Sequence, residues 1–248
     1  MSRLILSNFQ SPGDAVVLTA AVRDLHLTYP GRFMTDVRTA HPAIWEHNPY
    51  LTEIDEDDPG ACEIACAYPL VRDSNRSPHH FLHGFTRDLN ERLGLDIHSS
   101  RFGGDIHLSA AERAWPECLA GELAAYADFW VIVSGGKYDF TVKWWDPARW
   151  QRVVDHFEGR IRFVQVGADG DHHPALSGVV DLRGRTDLRE LIRVIHHARG
   201  VVTPVSLPMH LAAAVETPPG HPAQRPCVVV AGGREPPHWE AYPQHQFI

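Results

Sequence analysis

The chain has 248 residues, 44% of them hydrophobic, and a formal net charge of −8 at pH 7. This length suits one large domain or two domains of about 100–150 residues each, and the composition is that of a globular protein rather than a disordered one. The acidic balance and the lack of a basic face argue against a nucleic-acid partner. No apolar run is long enough to cross a bilayer and no secretory signal is evident, so we expect a cytoplasmic protein.

Strand and helix patterns alternate through the first half of the chain. Residues 3–9 are apolar on both faces, which is typical of a parallel strand, and residues 14–26 carry a helical stripe of apolar side chains. The other predicted elements of this half are a strand at 33–37, a short helix at 41–46, short strands at 52–55 and 64–68, a helix at 81–93 ending at Gly94, and a helix that begins at Ser109 with Glu112 completing a capping box.

The second half repeats this alternation, starting with a strongly apolar strand at 129–133. The elements predicted after it are a helix at 147–157, a strand at 161–166, a helix at 187–198 with Thr186 as its N-cap, a strand at 201–203, a helix at 208–215 and a last strand at 227–231. Alternating strands and helices predict an α/β fold with a mostly parallel sheet in each half. We therefore expect an N-terminal lobe at residues 1–124, a C-terminal lobe at 125–231, and a tail at 232–248 that packs back on the N-terminal lobe.

Asp14 is the first candidate functional residue. It follows a predicted strand and opens a helix, which is where ligands bind in doubly wound sheets. A carboxylate at this place can accept a proton from a substrate hydroxyl. It can equally serve the helix as an N-cap or first-turn residue, and the spacing leaves both interpretations open. The turn lacks the GxGxxG pattern of a dinucleotide site.

A second candidate segment, Ser134-Gly135-Gly136-Lys137, ends the first strand of the second half. Glycines let a backbone approach a ligand closely and a lysine can meet phosphate, although the full Walker pattern is absent. Lys143 follows in the same loop, directly before two tryptophans. It fits a site residue as well as a solvated lysine, and the tryptophans fit a core equally well.

Residues 201–215, VVTPVSLPMHLAAAV, run from an apolar strand through a short loop into a helix that Pro208 opens. A strand that leads into a helix N-terminus presents backbone N–H groups and the positive end of the helix dipole to one point, which favours an anion. His210, in the first turn, adds a donor or a positive charge there, or is simply a satisfied histidine. Ser206 fits an N-cap. Together with the turn at Asp14, this pattern predicts a two-lobed enzyme that acts on a phosphorylated small molecule.

The four cysteines give little support for a metal site. Cys62 and Cys66 have a loose metal-like spacing, whereas Cys118 and Cys227 lie far away and no CxxC pair is present. We expect buried or free thiols and no bound metal. The 17 histidines show no HExxH arrangement.

Three segments in chain order resemble motifs of glycosyltransferase family 9, the ADP-heptose heptosyltransferase family. They are the Gly13-Asp14 turn with residues 18–25, the segment LRGRTDLREL at 182–191, and SLPMHLAAA at 206–214, which is similar to the family's D-S-G-P-M-H-x-A-A loop and helix. The stretches SGGKYDFTVKWW and AGGREPPHWEAYPQHQ resemble the autotransporter heptosyltransferase subgroup. Members of that subgroup modify protein serines and continue into a cysteine-rich iron-binding segment, which this chain does not reach, so iron binding is not expected.

The resemblance implies a GT-B architecture, with two Rossmann-like lobes, mostly parallel sheets and a cleft between the lobes. The N-terminal lobe would hold the acceptor, near Gly13, and the C-terminal lobe the nucleotide-sugar donor. Asp14 would be the general base of an inverting transfer that uses no cofactor. Lys143 would be the second catalytic residue, stabilising the departing diphosphate. The implied donor-binding residues are Ser134, Gly135, Lys137, Thr186, Glu190, Ser206, Leu207, Pro208, Met209 and His210.

The chain departs from the family pattern at one place, where Asp-Ser-Gly becomes Val205-Ser206-Leu207. The change removes a carboxylate and a glycine from the loop that would meet the diphosphate. A non-catalytic nucleotide-sugar-binding protein on the same fold is therefore an alternative, and a nucleotide-sugar epimerase is another. The acceptor could be a protein serine, a saccharide or a small molecule.

Overall fold

Parallel strands joined by helices build both halves of the chain, because apolar strands alternate with amphipathic or buried helices along the sequence. The computed structural model describes residues 1–66, 76, 79–114, 128–232 and 236–248. The chain divides into two compact units, with Met1–His107 and His238–Glu240 in unit 1 and Leu108–Pro237 and Ala241–Ile248 in unit 2. The lobe boundary that the sequence suggests, at 124/125, lies outside the described residues and stays a prediction.

Unit 1 contains a three-stranded parallel sheet in the order β2-β1-β3. Its elements are β1 (Ser2–Asn8), α1 (Pro12–Thr28), β2 (Phe33–Thr39), a short 3₁₀ helix (Pro42–Ile44), β3 (Ala61–Ala65) and α2 (Phe81–Leu93). Helix α1 is buried on nearly all sides and packs against α2, as expected for a helix with few polar positions. Helix α2 ends at Gly94, whose φ of 61° is one that glycine adopts readily.

The prediction of a strand at 52–55 is wrong. The backbone N–H groups of this segment bond to β2 only at single points: Thr52 N–H donates to the carbonyl of Thr35 at 2.8 Å, and Ile54 N–H donates to the carboxylate of Asp36 at 2.8 Å. A side chain thus takes the place of a strand ladder. In place of the helix predicted at 41–46, the structure has the shorter 3₁₀ helix Pro42–Ile44. Of the strand predicted at 64–68, only the residues up to Cys66 are described, and β3 ends at Ala65.

Unit 2 contains a six-stranded, all-parallel sheet in the order β6-β5-β4-β7-β8-β9. Its elements are β4 (Trp130–Ile132), a 3₁₀ helix (Tyr138–Lys143), α3 (Pro147–Phe157), β5 (Phe163–Gln165), β6 (Val180–Asp181), α4 (Leu188–His197), β7 (Gly200–Pro204), α5 (Leu207–Ala214), β8 (Cys227–Val230) and β9 (His245–Phe247). Trp150 of α3 fills the core beneath this sheet against Ile132, Phe163 and Val202.

The tail divides between the units. A short helix, α6 (Pro237–Glu240), places Trp239 against Phe81 of unit 1, with ring centroids 5.3 Å apart. Residues 241–248 belong to unit 2, where β9 extends the sheet beyond β8. No strand is predicted here because the segment is rich in polar and aromatic residues without a period of two.

Arg225 ties two helices of unit 2 together. Its side chain is 1% exposed and donates to backbone carbonyl oxygens at the ends of α4 and α5, including Ala198 at 3.1 Å, His196 at 2.9 Å and Val215 at 2.9 Å. A cation is favourable at helix C-termini. Burial lowers the pKa of Arg225 to about 10, so the guanidinium stays charged near neutral pH.

None of the helices in the described parts of the chain combines the length and apolar character that a membrane span needs.

Candidate functional site

The strand order of unit 2 reverses between β4 and β7. From β4 the chain moves outward through β5 and β6 on one side, then returns to β7 and continues to β8 and β9 on the other. The loops that leave the carboxyl ends of β4 and β7 therefore diverge, and ligands of doubly wound sheets bind in the crevice this creates. Val133 N–H donates to the carbonyl of Val202 at 2.9 Å, which fixes the two strand ends side by side.

Ser134, at the end of β4, turns its hydroxyl into the protein. The hydroxyl donates to the carbonyl of Pro174 at 2.8 Å and accepts from the amide of Gln165 at 2.8 Å. Gln165 is fully buried and also accepts from the N–H of Leu176 at 3.0 Å. The Ser134 hydroxyl thus stabilises the loop through buried hydrogen bonds. The predicted contact of Ser134 with the nucleotide-sugar donor stays a prediction.

Gly135 and Gly136 pack against His172. A Cβ atom at Gly135 would overlap the carbonyl oxygen of His172, and Gly136 exchanges two backbone hydrogen bonds with His172, at 2.9 and 3.1 Å. The imidazole of His172 stacks on Trp144 with ring centroids 3.9 Å apart. These contacts explain the glycines by loop packing, so they do not by themselves indicate a ligand.

The loop from β4 reaches across the sheet edge to β8. A Cβ atom at Gly232, just after β8, would overlap the carbonyl oxygen of Val142 and lie 2.7 Å from the Cα atom of Lys143. Because β7 lies between β4 and β8, this loop spans the end of β7. Lys143 is half-buried at that point, whereas Lys137 is exposed at the start of the 3₁₀ helix. The geometry favours Lys143 over Lys137 as the cation beside the crevice.

Helix α5 starts directly after β7, at the same crevice. Ser206 occupies its N-cap position, but its hydroxyl lies 2.9 Å from the hydroxyl of Thr203 and donates to the carbonyl of Pro204 at 3.2 Å, so it makes no capping bond. No acidic residue lies in the first turn. Pro208 lacks an N–H and is buried with Met209, while Leu207 is half-buried. The first turn of α5 therefore contains no carboxylate that could interact with the positive end of the helix dipole.

His210 faces inward. The side chain is 5% exposed, and its Nδ1 atom lies 2.8 Å from the hydroxyl of Tyr242, which is itself buried. Sequence reasoning did not find Tyr242, because a partner 32 positions away leaves no local signal. The structure shows His210 as a hydrogen-bonded core histidine, and its predicted contact with a diphosphate stays a prediction.

Thr186 and Glu190 lie near the start of α4. The N-cap is Asp187 rather than Thr186: its carboxylate accepts from Glu190 N–H at 2.7 Å, and the Glu190 carboxylate accepts from Asp187 N–H at 3.0 Å. Aspartate caps helices at least as well as threonine, and here glutamate completes the capping box. The start of this helix follows β6, which lies three strand positions, or about 14 Å, from β7 across the sheet.

Asp14 lies in the first turn of α1, after the central strand β1 of unit 1. One carboxylate oxygen accepts from Ser11 N–H at 3.1 Å, and the side chain is half-buried beside Gly13, which is buried. The loop before it is braced by His41, whose Nε2 atom lies 3.0 Å from the carbonyl oxygen of Gln10. Asp14 therefore has the helical role that the sequence allowed, at the strand end where a base would also be placed.

The cysteines that the structure describes are free thiols: Cys62 is exposed, and Cys66 and Cys227 are buried. Burial and the nearby charge of Asp88 raise the pKa of the Cys66 thiol to about 12, so it is protonated at neutral pH. Cys118 lies outside the described residues.

Residues 86–219 match the model of glycosyltransferase family 9 (heptosyltransferase). No curated protein matches the sequence.

Three solved structures share the fold across the whole chain. The first is a family 9 glycosyl transferase from Veillonella parvula, with 16% identity, 85% of its length covered and a TM-score of 0.74. The second is the ADP-heptose LPS heptosyltransferase II of E. coli, with 15% identity, 90% of its length covered and a TM-score of 0.67. The third is the iron-containing dodecameric glycosyltransferase TibC from enterotoxigenic E. coli, with 18% identity, 64% of its length covered and a TM-score of 0.68. The predicted α/β fold of GT-B type is confirmed. With more than half of its residues matched by the family model, the chain belongs to glycosyltransferase family 9.

Proposed function

We propose that this protein transfers a heptose from ADP-heptose to an acceptor hydroxyl, with inversion at the anomeric carbon. The observation that carries the proposal is the crevice of unit 2, where the loop that carries Lys143 and the loop that leads into α5 leave the neighbouring strands β4 and β7 at the reversal of strand order. Family membership supports glycosyl transfer. The choice of ADP-heptose follows the name of the E. coli heptosyltransferase and the description of E. coli WaaC with ADP-2-deoxy-2-fluoro heptose, both of which share the fold.

In this proposal the donor diphosphate lies at the start of α5. Backbone N–H groups of the first turn and the positive end of the helix dipole favour a bound anion. Lys143 adds a full positive charge where negative charge grows on the departing ADP. No metal is required for this stabilisation, since the lysine and the helix end supply it.

Asp14 acts as the general base. The acceptor oxygen forms a bond to the anomeric carbon, the bond from that carbon to the diphosphate breaks, and the hydroxyl proton passes to Asp14. The positive end of α1 stabilises a negative charge at this first-turn position. ADP leaves with the electron pair of the broken bond.

Two changes in the β7–α5 loop favour a second candidate, a protein that binds a nucleotide sugar without transferring it. Val205, 3% exposed, stands where the family pattern has aspartate, and Leu207 stands where it has glycine. The loop thereby has a buried apolar side chain where the family pattern has a carboxylate. Backbone donors persist through such substitutions, so binding survives more readily than catalysis.

The test combines binding and turnover. Calorimetry with ADP-heptose and ADP measures binding, and ADP release with and without candidate acceptors measures transfer. We expect saturable binding of both ligands and acceptor-dependent ADP release. Binding without ADP release would favour the non-catalytic candidate, and an epimerised nucleotide sugar without acceptor would identify an epimerase. Failure to bind either ligand contradicts the proposal.

A further inference from the structure

A cavity of about 410 Å³ lies within unit 1, away from the strand ends that carry Asp14. It is bordered by α1, α2 and the segment 97–101, and its floor is apolar, formed by the buried side chains of Ala20, Leu82 and Ile97. Ala20 lies six residues after Asp14 on α1, about 9 Å further along the helix axis. The volume is within the range of small-molecule pockets.

The rim of this cavity is rich in nitrogen donors. Three separate parts of the chain contribute them, so the donors approach from several directions. They are His79, His83, Arg87, Asn90, His98 and Arg101. Burial and the neighbouring His79 lower the pKa of His83, and a neutral imidazole still offers one N–H donor.

Two carboxylates also line the cavity, and their partners decide its charge. Asp24 is 2% exposed and held by Arg23 at 3.0 Å and by the hydroxyl of Ser100 at 2.5 Å, so its charge is compensated within the protein. Glu91 pairs with Arg87 at 2.6 Å, but both side chains are more than half exposed. Exposed ion pairs contribute little free energy, so Arg87 can turn to a stronger anion at little cost.

Arg101 supplies the second guanidinium. It pairs with Asp105 at 3.0 Å and is half exposed, so an outer edge of the group faces solvent at the rim. The Asp105 carboxylate is shared, since it also contacts His107 at 2.8 Å and Arg23 at 3.8 Å. Among the described residues that line the cavity, two guanidinium groups therefore stand against one exposed carboxylate, in a protein whose overall charge is −8.

From this arrangement we infer that the cavity binds a small phosphorylated molecule, such as a sugar phosphate, at a site separate from the donor crevice. Guanidinium groups bind phosphate oxygens through paired, charge-assisted hydrogen bonds. The histidine and asparagine donors complete the shell around a tetrahedral anion. The apolar floor receives the carbon skeleton.

Isothermal titration calorimetry with ribose 5-phosphate tests the inference, with ribose and inorganic phosphate as separate arms. We expect saturable binding of ribose 5-phosphate, weaker binding of phosphate and none of ribose. Arg87→Gln should weaken binding about tenfold, because a charged hydrogen-bond donor is lost. Glu91→Gln should tighten binding, since it removes the carboxylate that competes for Arg87.

Arg3→Gln is the matched control. Arg3 is a half-exposed arginine of unit 1 that pairs with Asp58 at 2.7 Å and does not line the cavity, so its loss should leave binding unchanged. Saturating ADP should also leave the affinity unchanged, because the donor crevice belongs to unit 2. Unaltered affinity in both the Arg87 and Glu91 variants, displacement by ADP, or no saturable binding would overturn the inference. Each outcome is independent of whether heptose transfer is observed.

Discussion

Two turns of this molecule share a topology and differ in where their negative charge comes from. Each leads from the end of a parallel strand into a helix, β1 into α1 and β7 into α5. The first turn of α1 contains Asp14, whose carboxylate accepts from Ser11 N–H. The first turn of α5 contains no acidic residue, and the Ser206 hydroxyl bonds back to Pro204.

This difference matters because a helix N-terminus favours an anion wherever one is available. In α1 the protein supplies the anion, which suits a base acting on a neutral hydroxyl. In α5 the place is left for an anion from outside, which suits a diphosphate. The same backbone geometry thus serves opposite ends of the proposed reaction, and variants at either turn can test the assignment.

The largest effect is expected for Asp14→Asn. An asparagine oxygen can still accept from Ser11 N–H, so the fold should be retained, while the proton acceptor is lost. Turnover should fall about 10²- to 10⁴-fold, with ADP affinity unchanged by calorimetry. Asp96→Asn, at an exposed carboxylate of the same unit, is the control. Full turnover in the Asp14 variant would remove it from the mechanism.

Lys143→Ala should come next. Removing a charged donor from the diphosphate should weaken ADP binding about 10- to 100-fold. Lys137→Ala provides the comparison, because it removes an exposed lysine from the same loop and should change affinity much less. If the Lys137 variant loses more affinity than the Lys143 variant, the two lysines exchange roles.

Ser206→Asp would make the second turn resemble the first. An acidic N-cap should stabilise α5, raising the melting temperature slightly. The same carboxylate should repel the diphosphate and weaken ADP binding by about tenfold. Opposite changes in stability and affinity would support the comparison, whereas unchanged ADP affinity would place the diphosphate elsewhere.

The smallest effect is expected for Leu207→Gly, which restores the glycine of the family pattern. Removing the half-buried side chain should tighten ADP binding by about threefold, because a leucine crowds a loop that has glycine in the family pattern. A glycine in the first helical turn should cost about 0.5–1 kcal/mol of stability. Weaker ADP binding in this variant would show that Leu207 contacts the ligand favourably.

Elements with complete local signals were predictable from the sequence. Helices α2 and α3 have the predicted bounds because His80 and Asp146 cap their starts and Gly94 ends α2. The N-cap of α4 lies one residue after the predicted Thr186, since Thr186 and Asp187 are both good capping residues and only the bond from the Glu190 N–H distinguishes them.

The contacts that shape the candidate site were not predictable in the same way. The sequence suggests Gly135 as a point of close approach for a ligand, whereas the structure shows that a side chain at Gly135 would overlap His172, far along the chain. The position of Lys143 depends on Gly232, and the inward orientation of His210 involves Tyr242. Such pairings arise from the strand order of the sheet, which a single sequence pattern does not specify.

Arg225 has a consequence for how this fold can change. It joins the carboxyl ends of α4 and α5 at the amino edge of the sheet, opposite the loops that carry Lys143 and Ser206. The two helices are therefore held together at the amino edge of the sheet, whereas the loops of the candidate site lie at its carboxyl edge. Substitutions in the carboxyl-edge loops can alter ligand selectivity while this anchor is preserved, so selectivity and folding can evolve separately.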